Sequence, residues 1–286
     1  MKKGKVAINI SGVSRYLNES YQNIKDMIIQ PLEEYGYEVD LFIHTWQIIG
    51  LVDDKWGFNI DNMRFTEDDW KKSKLWYEKN KSIRNSEIKK NINGIVGGWV
   101  RRLEVENHKQ AMVKMNETIV KLPKTNNKKV KRINTTSQLY SKYQAGLLQQ
   151  EWETENLFTY DVVMKMRTEV YFEYPIAQNH IETAQSKLMI PHYYRNDDYK
   201  TNIWGFNDTF ALGPSLQMKH YNSSYERLRN IVRSQEEFNS HKILFKDLRS
   251  VEVLEQRDFY HQVGPNPEQR YSKKQSKPLK PFNRRY

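Results

Sequence analysis

The sequence predicts an α/β fold, a Rossmann-like and mainly parallel sheet flanked by helices, with a mixed C-terminal half. Three observations support this. "KVAINISG" is an apolar run closed by small residues, as in a strand buried on both faces. "SRYLNESYQNIKDMIIQPLEEYG" then repeats apolar residues at helical spacing, at Tyr21, Ile24, Met27 or Ile28, and Leu32. "YEVDLFIHTW" follows as a second strand with Val39, Leu41 and Ile43 on one face. Strand, helix and strand within the first 46 residues make a βαβ unit, which implies parallel pairing.

The remaining elements follow in order. Pro31 is expected to interrupt the first helix near its end, and Gly36 to stop it. Residues 47–133 read as a variable helical insertion. Within it, "TEDDWKKSKLWYEKNKSIRNSEIKK" is a polar helical excursion, "NGIVGGWV" a loop and "ENHKQAMVKMNETIVKL" a helix. The basic stretch around Asn126 reads as an exposed loop. "TTSQLYSKYQAGLLQQEWETENLFTYD" predicts a helix capped at Thr136 or Ser137, with Leu139, Tyr140, Tyr143, Leu147 and Leu148 on one face. "YDVVMKMRTEVYF" reads as one strand over 160–172. Its alternation puts Val162, Met164 and Met166 on one face and Arg167, Glu169 and Tyr171 on the other. "KLMIPHYY" is a short strand. A turn at Gly205, the polar pair Asn207–Asp208, an apolar strand, Gly213 and a helix come next. "SQEEFNSHKILFKDL" is a late helix and "VEVLEQRDFYHQVG" a last strand. Residues 1–263 read as a single domain, and 264–286 as a basic, Pro-rich tail.

Composition narrows the chemistry. The chain has no cysteine, which excludes disulfides, thiolate catalysis and Cys-ligated zinc. A net charge of +11 favours anionic partners. "KLPKTNNKKVKR" holds six cations and no acid, and the tail seven cations, one acid and four prolines. No zinc-finger, RNP or recognition-helix signature accompanies them, so no specific nucleic-acid partner is expected. No apolar window is long enough for a membrane span, and the N-terminus reads as a strand rather than a secretory signal. A cytoplasmic location is the expectation.

Ligands of open parallel sheets bind at the carboxyl ends of the strands. That rule gathers Ser11, Gly12 and Arg15, then His44, Thr45 and Trp46, then Arg167 and Glu169, and finally Asn207 and Asp208 on one rim. Gly12 would let a phosphate approach the backbone, with Arg15 in the first helical turn; an ordinary strand-to-helix turn is the competing reading. Arg167 and Glu169 suit a diphosphate and a divalent cation, or a plain structural ion pair. Asp208 suits a general base, or a turn residue capping its own backbone. His44 and Trp46 gain a functional reading only from their place on the rim.

Taken together, "KVAINISGVSRY", "VDLFIHTW", "SQLYSKYQAG", "YDVVMKMRTEVYF" and "NDTFALGPSLQMKHY" resemble the GT-A-type glycosyltransferases of viruses and bacteria. The chain is particularly similar to the small glycosyltransferases of large algal viruses. The resemblance covers about 5–46 and 134–262, and not the insertion or the tail. It implies a GT-A fold, a UDP-sugar donor, with xylose the sugar suggested, and a glycan or glycoprotein acceptor such as a capsid glycan, in an infected cell. It implies that Ser11, Gly12 and Arg15 approach the nucleotide, that His44, Thr45 and Trp46 border the donor, and that Ser137, Gln138, Tyr140 and Ser141 lie near the donor sugar. Arg167 and Glu169 fall where relatives carry Arg-x-Asp, the local form of a metal-binding Asp-x-Asp. Glu169 replaces the Asp, so a longer carboxylate reaches a metal (Mn or Mg), or Arg167 supplies the charge alone.

The reaction this implies is single-displacement transfer with inversion, with Asp208 the first choice of base and Glu169 the second. Two other classes fit the residues: a non-catalytic carbohydrate- or nucleic-acid-binding protein on a degenerate transferase fold, and a nucleotidyltransferase on a related sheet.

Overall fold

The computed structural model describes residues 3–13, 17–47, 85–123, 129–168, 170–191, 206, 208–232, 239–256 and 261–263. In chain order the elements are β1 (Gly4–Gly12), α1 (Leu17–Ile24), a π-helical turn (Lys25–Ile29), α2 (Gln30–Glu34) and β2 (Tyr37–Trp46). Next come α3 (85–96), β3 (Val100–Glu106), α4 (His108–Val120) and α5 (Lys129–Asn156). β4 (Val162–Arg167), β5 (Val170–Phe172), α6 (Gln178–Ala184), β6 (Leu188–Pro191), β7 (Phe210–Gly213) and α7 (Ser215–Asn222) follow. α8 (Leu228–Ile231), α9 (Ser240–Asp247), β8 (Val253–Gln256) and β9 (His261–Val263) complete the fold.

Seven strands form one sheet in the order β3-β2-β1-β4-β7-β6-β8. β3, β2, β1 and β4 run parallel, and β7 runs antiparallel to both β4 and β6. The molecule is therefore α/β, with a mostly parallel, mixed sheet. β5 and β9 pair in a separate two-stranded sheet.

Parallel strands are covered on both faces, which is why β1 and β2 read as near-continuous apolar runs. One face carries Val6, Ile8 and Ile10, Val39, Leu41 and Ile43, and Val162, Met164 and Met166; these pack against α1, α2 and α3 in one buried cluster. The other face packs on α5 and α7 through Ala7, Phe42, Val163, Met218 and Tyr221. This second face changes character along its strands. Ala7, Asn9, Ser11 on β1 and Val163, Lys165, Arg167 on β4 pass from apolar to polar toward the carboxyl ends. The polarity lies where ligands of such sheets bind.

Five sequence expectations are corrected. Pro31 does not interrupt the first helix. The π turn just before it closes Gln30 N–H onto Lys25 O, a wider ring that accommodates the proline in the first turn of α2. "NGIVGGWV" is not simply a loop: its first residues end α3, and Val100 begins β3. The long helix is not capped at Thr136 or Ser137, because it already begins at Lys129. The strand at 160–172 is two strands: β4 ends at Arg167, and β5 leaves for the second sheet. The presumed insertion at 47–133 also supplies β3, an edge strand of the main sheet. Most of 47–84, Arg15, Glu169, Gly205, Asn207 and the tail 264–286 lie outside the described residues. Among the described residues, no helix is long and apolar enough to cross a membrane.

Candidate functional site

Strand order reverses at the β1–β4 pair: β2 and β3 lie to one side of β1, while β4 opens the other half of the sheet. Such a switch point leaves a crevice beyond the strand ends. Here Ser11 stands opposite Arg167 in register. The strand ends are clamped together. Thr168 N–H donates to Ser11 O at 3.1 Å, and its hydroxyl to Val13 O at 2.5 Å. Thr45 Oγ1 donates to Gly12 O at 2.9 Å. Gly12 has φ 126°, a conformation that side-chain-bearing residues rarely adopt, so glycine is required at the end of β1.

β7 enters this rim from the opposite direction. Its first residue, Phe210, pairs with Met166, and Arg167 N–H donates to Thr209 O at 3.0 Å. Asp208, 6% exposed, is thereby delivered beside Arg167. The buried Lys165 ammonium donates to the Asp208 carbonyl. His241, in the first turn of α9, places Nε2 at 3.8 Å from Asp208 Oδ1. Its Nδ1–H donates to Phe206 O at 2.7 Å, which fixes the ring orientation. Burial pushes the Asp208 pKa up, but the charges of His241, Arg167 and Lys165, with a hydrogen bond from Ser240, outweigh it and bring it down to about 2.

That value shapes the chemistry. A carboxylate held so low is fully ionised at neutral pH but accepts a proton poorly. In this state Asp208 serves as the anionic counterweight to Lys165 and Arg167.

A second layer lies beneath the rim. His44 is completely buried, with Nδ1 at 2.8 Å from Ser141 Oγ and Nε2 at 3.0 Å from Glu106 Oε2. Tyr140 donates to Glu106 Oε1 at 3.0 Å, and Lys114 at 3.1 Å. Trp46 stacks on Tyr140 with ring centroids 5.9 Å apart. His44, Glu104 and Glu106 form a group that could hold a metal ion, their ligand atoms lying within 4.8 Å of one another.

No protein-family model and no curated protein matches the chain.

The expected site residues thus divide into two sets. Ser11, Gly12, Arg167 and Asp208 meet at the switch point. His44, Thr45, Trp46, Tyr140 and Ser141 are buried, as Ser11 and Asp208 are; Thr45 is bonded to Gly12, and the other four pack together where the strand ends meet α5. Ser137 and Gln138 are half-buried on α5, with Ser137 Oγ against Met115 Sδ at 3.5 Å. The placements expected for Arg15 and Glu169 fall outside the described residues. Sequence reasoning missed Lys165, Thr168 and His241. A lysine between two methionines in an apolar strand was the visible signal for Lys165. Nothing local distinguished Thr168 or His241, whose roles depend on tertiary pairing.

Two open concavities lie elsewhere. One, of about 400 Å³, is lined by His220, Arg227, Lys246, Asp247 and Arg249. The other, of about 430 Å³, lies over the β3 edge beside Glu104, Arg102 and Leu148.

Proposed function

We propose that this protein is a GT-A-type glycosyltransferase that moves a sugar from a UDP-sugar to a hydroxyl of a glycan acceptor. The observation that carries the reading is the pairing of Ser11 and Arg167 across the switch point, beside Gly12 and Asp208. The resemblance of the sequence blocks to viral glycosyltransferases supplies the reaction class. Arg167 would neutralise the diphosphate as it leaves, and the Gly12 backbone would allow its close approach.

The acceptor proton is assigned to Asp208. A diphosphate engaging Arg167 draws off one of the cations that hold Asp208 down and adds negative charge nearby. Both effects raise its pKa toward the range of a working base. His241 orients the carboxylate. A divalent cation, Mn²⁺ or Mg²⁺, would share the diphosphate charge with Arg167. Xylose as the donor sugar and a capsid glycan as the acceptor follow from the resemblance alone.

The test is thermal unfolding with UDP, GDP, CMP and a panel of UDP-sugars, each with and without Mn²⁺. A ligand confined to the native state stabilises by about 2.7 kcal/mol at a hundredfold excess over its Kd. A midpoint shift with UDP, larger with one UDP-sugar, supports the reading. No shift with any nucleotide discards it in favour of a non-catalytic binding protein, and pyrophosphate release in place of UDP would mark a nucleotidyltransferase.

A further inference from the structure

Nothing in the proposed transfer uses the cluster at the carboxyl ends of β2 and β3. Ser11, His44 and Glu104 are register partners on neighbouring strands, so the cluster shares a sheet face with the rim. It begins one strand from Ser11, about 4.8 Å away in the pairing direction. We propose that His44, Glu104 and Glu106 form a binding site for one divalent transition-metal ion, separate from any cation at the diphosphate. The proposal does not depend on the transferase reading.

The hydrogen bonds around the cluster leave a ligand set pointing inward. Both lone pairs of Glu106 Oε1 are engaged, by the Tyr140 hydroxyl and the Lys114 ammonium. Its other oxygen, Oε2, faces His44 Nε2 at 3.0 Å. On the far side of the ring, Nδ1 meets Ser141 Oγ at 2.8 Å, and that hydroxyl donates to His44 O at 3.4 Å. In the tautomer that donates Nδ1–H to this hydroxyl, the one a metal at Nε2 requires, the Nε2 lone pair is directed at Oε2. Two lone pairs at that distance need a cation between them. A proton can serve, and so can a metal: ligands about 2.1 Å from one ion at a right angle stand about 3.0 Å apart. Ser141, Tyr140 and Lys114 would then be outer partners that fix the tautomer and orient the carboxylate.

Glu104 supplies the third ligand and the route in. It lines the open concavity of about 430 Å³ at the β3 edge, where the cluster meets solvent. The cationic Arg102 at that mouth is neutralised by Glu151 at 2.8 Å and by Glu155. The two carboxylates, the Lys114 ammonium and Lys89, which lines the same concavity, sum to zero, so the attraction for a divalent ion comes from the two carboxylates at the ligand positions. One imidazole and two carboxylates suit Zn²⁺, Co²⁺ or Mn²⁺ better than Mg²⁺ or Ca²⁺, which take oxygen ligands. A bound ion would tie β2 to β3 and stiffen the layer under the rim.

The experiment is a titration of the full, chelator-stripped chain with Co²⁺, followed by its visible d–d absorption, with competition by Zn²⁺. The expected result is one saturable equivalent that Zn²⁺ displaces. Glu104→Gln changes a partly exposed residue and should leave the circular dichroism unchanged while weakening Co²⁺ at least tenfold. A folded wild-type chain with no saturable Co²⁺ band overturns the site, as does a Glu104→Gln chain that binds Co²⁺ as tightly as the wild type. Neither readout involves a nucleotide or sugar transfer, so this result is independent of the thermal scan.

Discussion

Arg167 stands in register with Ser11 across the β1–β4 pair, and its backbone N–H is bonded at 3.0 Å to Thr209, the residue after Asp208. One side chain is thus held by the backbone on both sides, between the glycine turn that ends β1 and the acid that precedes β7. Its backbone is fixed by strand pairing on both sides.

Arg167→Ala should weaken UDP at least tenfold and leave uridine binding nearly unchanged, because the lost contact is to the diphosphate. Calorimetric titration of both ligands measures this. Equal affinity of the variant and the wild type for UDP would remove Arg167 from the donor site. Asp208→Asn should keep UDP affinity within a few fold and lose most transfer; substantial retained turnover would end its assignment as base.

Acid should destabilise the fold through Asp208. Its pKa is about 2 in the folded protein against an ordinary 3.8, so the folded state favours the ionised form. The resulting stability is present above about pH 4 and is lost as pH falls toward 2. The shift corresponds to about 2 kcal/mol. Urea denaturation from pH 6 to 2 should show a steeper loss for the wild type than for Asp208→Asn; parallel curves would contradict the assignment.

Tyr160→Phe should cost about 1–3 kcal/mol in urea denaturation. The Tyr160 hydroxyl donates at 2.7 Å to Asp40 Oδ2, and Asp40 is 2% exposed. Arg101 still pairs with the other oxygen, which limits the loss. A change under about 0.5 kcal/mol would show that solvent replaces the hydroxyl freely.

Leu157→Gly should stabilise. Leu157 ends α5 with φ 54°, and its side chain is 92% exposed. The left-handed conformation costs a branched residue about 1–2 kcal/mol, while glycine adds about 0.5–1 kcal/mol of unfolded-state entropy. The net gain is about 0.5–1 kcal/mol, read as a raised midpoint of thermal unfolding.

Much of the central sheet was legible because parallel strands buried on both faces leave unmistakable apolar runs, as in β1 and β2. β3 was not, since "VRRLEVE" is an edge strand whose alternating charges look like surface. The break after Arg167 was also hidden. Val170, Tyr171 and Phe172 have strand propensity, and only pairing with β9 shows that they belong to another sheet. Thr136 looked like a helix cap but is a buried residue within α5. At the rim, Ser11, Gly12, Arg167 and Asp208 followed from the rule for strand ends. His44 and Trp46 followed the same rule to the strand ends, while their burial under α4 and α5 depends on tertiary packing that the sequence does not show.

The reversed direction of β7 has a consequence for redesign. Strands that run out of a rim hand their active residues to the loops that follow, so swapping those loops displaces the chemistry. Asp208 arrives on a strand that runs in, and it is moored by Lys165, by its neighbour's bond to Arg167 and by α9. An acid moored in this way is set by the framework of the sheet, so residues elsewhere on the rim can be varied with the acid left standing where it is.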